Sequence, residues 1–137
     1  MARVIDSDML EVDGQRIILF GVDAMDRNQT CFVDGGSWDC WAVGARELQI
    51  LVANEPVSCE DQGIRDPFKR VYGRCRVGGI DLNEALVRSG LALAFRRQSK
   101  DYVAAEKEAK AEGIGVWQGE FVEPWKWRLS RGAPTAR

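Results

Sequence analysis

Three aspartates, Asp8, Asp23 and Asp26, stand just past the ends of two apolar runs, and that placement suits a bound cation. The longer run, Ile17-Ile18-Leu19-Phe20-Gly21-Val22, reads as a buried strand in which Gly21 marks a bend or a close backbone approach. Asp23 and Asp26 come where that strand must end. Asp6 and Asp8 close the shorter run Arg3-Val4-Ile5 in the same way. If the two strands are neighbours, Asp8, Asp23 and Asp26 converge, and converging carboxylates repel one another unless a cation sits between them. On spacing alone the alternative is three solvated turn aspartates. The chain has no histidine, which removes histidine acid–base chemistry, nucleophile–histidine pairs and the usual zinc ligand sets.

The elements that must carry these residues fit one domain. A chain of 137 residues, 45% hydrophobic and 29% charged, can bury its own core. No run approaches the length of a membrane span, and no basic-then-apolar leader stands at Met1, so no membrane association is expected. The chain begins almost inside its first expected strand, as a trimmed or mature form would. Residues 1–64 carry 4 basic and 12 acidic side chains and residues 65–137 carry 15 and 9, so the halves are −8 and +6. Such a split suits a cation beside an anionic substrate, or two solvated surfaces that attract each other.

Four cysteines at 31, 40, 59 and 75 have no C-x-x-C spacing, which argues against zinc. Cys31 and Cys40 bracket a short loop, and Cys59 and Cys75 fall in two apolar stretches that could be adjacent strands. Two disulfides would place the chain in an oxidising compartment, periplasmic or secreted, and four buried thiols in the cytosol. Disulfides are the expectation.

Short strands are predicted at Arg3–Asp6, Met9–Val12 and Arg16–Val22, then at Val57–Cys59 and Val71–Val77. Between them, Trp41–Ala53 has helical apolar spacing, with Asp39 as a cap and Pro56 as a stop. Asp26–Asp39 reads as a polar loop. Leu82–Ser89 and Asp101–Glu112 are the other two predicted helices, ending at Gly90 and Gly113. Trp117, Phe121, Trp125 and Trp127 follow in an irregular segment whose rings are expected to pack on the domain rather than stack on bases. Five strands and three helices make an α+β pattern that a small curved barrel capped by helices would satisfy.

Taken in order, the motifs resemble the thermonuclease (micrococcal nuclease-like) family nearly from end to end. They are the D-x-D turn Asp6-Ser7-Asp8, the segment Ile17–Asp26, Asp66-Pro67-Phe68-Lys69-Arg70, and Gly79-Ile80-Asp81-Leu82-Asn83-Glu84-Ala85-Leu86-Val87-Arg88-Ser89-Gly90-Leu91-Ala92. Tyr102, Gly113-Ile114-Gly115-Val116-Trp117 and Pro124-Trp125-Lys126-Trp127-Arg128 complete the set. The resemblance implies a five-stranded OB-type β-barrel with three α-helices over residues 1–128, leaving 129–137 as a flexible tail. It implies calcium-dependent hydrolysis of phosphodiester bonds in DNA and RNA. Single-stranded or flexible DNA or RNA is the expected partner, and a monomer is the expected state. Asp8 and Asp23 would be the metal carboxylates and Ala24 would supply a carbonyl. Asp26 takes the place of the family's glutamate, which assists the attacking water. Counting back from Asn83 puts a phosphate-clamping arginine at Arg70 rather than at Arg74.

Two departures bear on the chemistry. The family's other clamping arginine falls at Ile18, which has no donor, and losing one preorganised donor typically costs roughly 10²–10³ in rate. Arg16 projects from the same strand face but is displaced by about 6–7 Å. Asp26 is one methylene shorter than glutamate, a withdrawal of about 1 Å that can cost about 10²-fold. Met25 also replaces a proline that would stiffen the loop aiming Asp26. With Arg16 and Arg74 as candidate substrate contacts, the expectation is a weak or altered nuclease. The alternative is a catalytically inactive OB-type module that binds nucleic acid, a phosphate ligand or a protein.

Overall fold

The structure, a computed structural model, describes residues 2–131. Strands β1 (Ala2–Asp6), β2 (Met9–Val12) and β3 (Gln15–Leu19) form an antiparallel meander, with Ile18 opposite Met9. After β3 the chain turns at Phe20-Gly21 and enters β4 (Val22–Ala24). Gly21 has φ +77°, and a Cβ there would come within 2.7 Å of the Tyr102 ring, so both the turn and the close packing need glycine. The single strand predicted over Arg16–Val22 is therefore two.

The predicted polar loop 26–39 contains a small hairpin of β5 (Cys31–Val33) and β6 (Gly36–Trp38). Helix α1 (Cys40–Val52) follows, its first turn capped by Asp39, whose carboxylate accepts the Ala42 N–H at 3.0 Å. Next come β7 (Ser58–Arg65), β8 (Val71–Val77), the short β9 (Ile80–Asp81) and α2 (Leu82–Arg88). The last elements are β10 (Ala92–Ala94), α3 (Val103–Glu112), a 3-10 turn at Gly115–Gln118 and α4 (Pro124–Ser130). Both cysteine pairs form disulfides: Cys31–Cys40 ties β5 to the start of α1, and Cys59–Cys75 joins residues directly opposite on β7 and β8.

Two features depart from the expected barrel with three helices. The main sheet runs β1-β2-β3-β8-β7, with β9 also paired to β8, and this path does not close among the described residues. The turn at Gly21 carries β4 away to pair with β10 instead of extending the sheet. The described residues also form four α-helices. The fourth starts with Pro124 at its first position, where the missing N–H is tolerated, and it runs through Ser130 into the segment expected to be tail. The rest of that tail, 132–137, lies outside the described residues.

The main core packs Leu10, Ile17, Leu19, Val71 and Cys75 of the sheet against Leu48, Val52, Leu82, Leu86 and Ala105 of α1 to α3. A second cluster of Met25, Cys31, Cys40, Leu93 and Val116 is covered by Trp38, Trp117, Phe121 and Trp125, so most of the C-terminal aromatics pack on the domain. The buried Asn83 side chain bonds the Phe20 and Gly73 carbonyls and the Cys75 N–H, locking α2 to the junction of β3 and β8.

Candidate active site

The carboxylates are placed by backbone as much as by side chains. Asp8 sits in the turn between β1 and β2, fully buried. Its carbonyl accepts the Leu19 N–H at 2.9 Å, and its Oδ2 accepts the Ala24 N–H at 3.1 Å. That second bond ties the D-x-D turn to β4, bringing Asp8 beside Asp23 in the chain's own backbone frame. Ser7 strengthens the link by donating its hydroxyl to the Met25 carbonyl at 2.7 Å. Asp23, in the β4–β10 ladder opposite Leu93, is also buried. Asp26 follows in a turn closed by Gln29, whose N–H donates to the Asp26 carbonyl and whose Oε1 accepts the Asp26 N–H, both at 3.0 Å.

What meets these carboxylates is a guanidinium. Arg128 of α4 donates to Asp23 as a fork, Nη2 to Oδ2 at 2.5 Å and Nη1 to Oδ1 at 3.2 Å. The same Nη1 donates to Asp26 Oδ2 at 2.6 Å. The Arg128 side chain is 8% exposed and Asp23 2%, so this is a desolvated, bidentate, charge-assisted pair. Helix α4 is held in register by the Phe95–Trp125 ring contact, centroids 5.7 Å apart, and by Gln29, whose amide donates to the Val122 carbonyl. Gln29 thus touches both the Asp26 turn and the approach to α4.

Calcium takes six to eight oxygen ligands, with carboxylates approaching it directly. Here the bidentate oxygens of Asp23 and one oxygen of Asp26 are engaged by Arg128, and the Ala24 N–H already occupies an oxygen of Asp8. No group of three or more acidic or cysteine side chains among the described residues is arranged to hold a metal. The residues as they stand do not fit the calcium site that the family resemblance implies.

The candidate phosphate clamps are dispersed. Ile18 is fully buried in an apolar cluster with Met9, Phe20 and Tyr72, so the position of the missing arginine lies inside packed side chains. Arg70 is adjacent, its Nη1 3.8 Å from the Met9 sulfur, but its fork is committed to Asp66, with Nε at 2.6 Å and Nη2 at 2.5 Å from Oδ2. Burial pushes the Asp66 carboxyl up, and the Arg70 guanidinium with the Arg70 and Phe68 N–H groups more than reverses it, leaving the group below the usual carboxylate range. Arg74 pairs with Asp101 at 2.8 Å and lies against the Phe20 and Tyr102 rings. Burial pushes the Tyr102 phenol up to about 12, aided by Asp81 and opposed by Arg74. Arg16, 52% exposed, faces Glu11 at 3.8 Å. These three arginines thus face Asp66, Asp101 and Glu11.

Beside α4 opens a cavity of about 350 Å³ lined by Phe95, Arg96, Arg97, Trp125, Lys126 and Leu129. Arg96 faces Glu106 at 3.4 Å and Lys126 faces Glu123 at 2.7 Å, whereas Arg97 makes no ion pair among the described residues. Arg128, Gln29 and this groove are absent from the sequence-derived site. Arg128 ends a recognised motif, but nothing local marks it as the partner of an aspartate 105 residues away.

Comparison with known proteins agrees with this scaffold. Over 123 residues, 87% of this chain, it is 37% identical to the succinoglycan biosynthesis protein ExoI of Rhizobium meliloti. Over 86 residues, 61% of this chain, it is 30% identical to a protein of Haemophilus influenzae described as an uncharacterized endonuclease. The matched regions span 64% and 48% of those two proteins. Residues 16–119, from within β3 to just past the 3-10 turn, match the staphylococcal nuclease homologue family, and the chain belongs to that family.

Proposed function

We propose that this chain is a nucleic-acid-binding member of the nuclease family, holding single-stranded or flexible DNA or RNA and hydrolysing it slowly or not at all. The observation that carries the reading is the groove beside α4. It places three cations, Arg96, Arg97 and Lys126, around the rings of Phe95 and Trp125. Cations that track a phosphate backbone next to aromatic faces that stack bases are the usual means of binding single strands without sequence preference. Attenuated hydrolysis follows from Ile18 in its apolar cluster, from Arg70 committed to Asp66, and from a shortened Asp26 paired with Arg128. The two disulfides favour an oxidising setting, periplasmic or secreted. Among the described residues no helix is long and apolar enough to cross a membrane.

A second reading, genuine but weak hydrolysis, is favoured by Asp26. It is the carboxylate of the Arg128 pair with measurable side-chain exposure, 16%, and so the one a water could reach as a base.

One experiment separates these. Labelled single-stranded DNA and RNA are titrated with the protein by fluorescence anisotropy, and the same mixtures are run on gels for cleavage, with and without millimolar calcium. Binding is expected, weakening with salt and falling about tenfold or more in Arg96→Ala/Arg97→Ala, with no cleavage above Asp23→Asn. Absence of binding to either nucleic acid sinks the proposal, and chelator-sensitive cleavage promotes the second reading.

A further inference from the structure

We propose that Arg128 is the resident cation of the Asp23–Asp26 site: its guanidinium stands in place of a divalent metal ion, so that this domain does not take up calcium while α4 is docked. The pairing geometry argues for replacement rather than for a chance surface contact. Nη1 lies between the two carboxylates, 3.2 Å from Asp23 and 2.6 Å from Asp26, while Nη2 closes the second bond to Asp23. A single positive centre thus gathers oxygens from both side chains, which is what a bridging ion does. Arginine keeps its charge throughout the accessible pH range and cannot be chelated away, so the substitution is permanent as long as the helix stays in place.

The helix has the anchoring this role requires. Pro124 is buried at its start, Trp125 packs on Phe95 and on the cluster around Met25, and Gln29 holds the segment before it through the Val122 carbonyl. Gln29 also shapes the Asp26 turn, so the carboxylate and the helix that neutralises it are fixed by one side chain. A metal ion entering between Asp23 and Asp26 must displace a desolvated fork, and its apparent affinity is reduced by the small fraction of molecules in which that fork is open. The inference concerns cations alone and is independent of the nucleic-acid reading.

The test uses the full chain without nucleic acid. Calcium binding is measured by isothermal titration calorimetry, and thermal melting is followed with calcium or with chelator, for the wild type, Arg128→Met and Arg128→Lys. The wild type is expected to show no calorimetric binding at millimolar calcium and the same melting temperature in both conditions. Arg128→Met is expected to melt lower in chelator, to recover when calcium is added, and to bind calcium at least about tenfold more tightly than the wild type. Arg128→Lys, which keeps the charge without the fork, should fall between them. Stoichiometric calcium binding by the wild type overturns the proposal, even if Arg128→Met does not fold. A folded Arg128→Met whose melting ignores calcium overturns it as well.

Discussion

Asp23 and Asp66 are both buried aspartates engaged by an arginine fork, and the two pairs are built in opposite ways. Asp66 and Arg70 are four residues apart in one turn, and the carboxylate also accepts the Phe68 and Arg70 N–H groups, so the backbone supports the pair even before the guanidinium arrives. Arg70 remains 28% exposed, and water shares the charge. Asp23 and Arg128 come from opposite ends of the fold, and their side chains are almost completely withdrawn from solvent. A pair of the first kind is a local turn device. A pair of the second kind holds two distant elements together at the price of two desolvated charges, so losing one partner strands the other.

That contrast can be broken by mutation. The largest effect is expected for Arg128→Met without added metal, a loss of about 3–5 kcal/mol in urea unfolding, because Asp23 and Asp26 lose the cation between them. A loss under about 1 kcal/mol would put this pair in the class of surface bridges. Next come double-mutant cycles. The coupling of Arg128→Met with Asp23→Asn should reach about 2–3 kcal/mol, and that of Arg70→Met with Asp66→Asn about 1 kcal/mol. Equal couplings would erase the distinction between the two pairs.

Smaller again, Asp66→Asn should cost about 1 kcal/mol near neutral pH, since asparagine retains an acceptor for the turn. Its pH dependence is the sharper measurement. The folded-state pKa of Asp66 lies below its unfolded value, so its contribution is present above about pH 3.9 and is lost as pH falls through the folded value. The wild type should therefore lose stability on that acid limb and Asp66→Asn should lose less. The smallest effect is that of salt. Raising sodium chloride to molar levels should weaken the Arg70–Asp66 coupling by at most about 0.5 kcal/mol and leave the Arg128–Asp23 coupling nearly unchanged.

The same division between local and distant explains what could be read in the sequence. Helix α1 is legible because Asp39, the apolar spacing of Leu48 and Val52, and Pro56 are all signals carried within one segment. The disulfide pairs are legible because one closes a short loop and the other joins two strand-like stretches. The strand break at Gly21 is only half legible: a glycine in an apolar run marks a bend, but Tyr102, against which it packs, lies 81 residues on. The partner of Asp23 is not legible. In the sequence Arg128 is one cation among nineteen, and only the docking of α4 brings it to the carboxylates. The groove shares that fate, since its lining comes from residues 94–97 and 125–129, which the fold sets side by side.

The long separation between Asp23 and Arg128 also has a consequence in time. During synthesis the carboxylates leave the ribosome first, and at about 5–20 residues per second the arginine follows some 5–20 s later. Through that interval the nascent domain carries its acidic half without the charge that later neutralises it. Completion of this site thus waits on the arrival of α4 and comes after the strands that carry the carboxylates have been made.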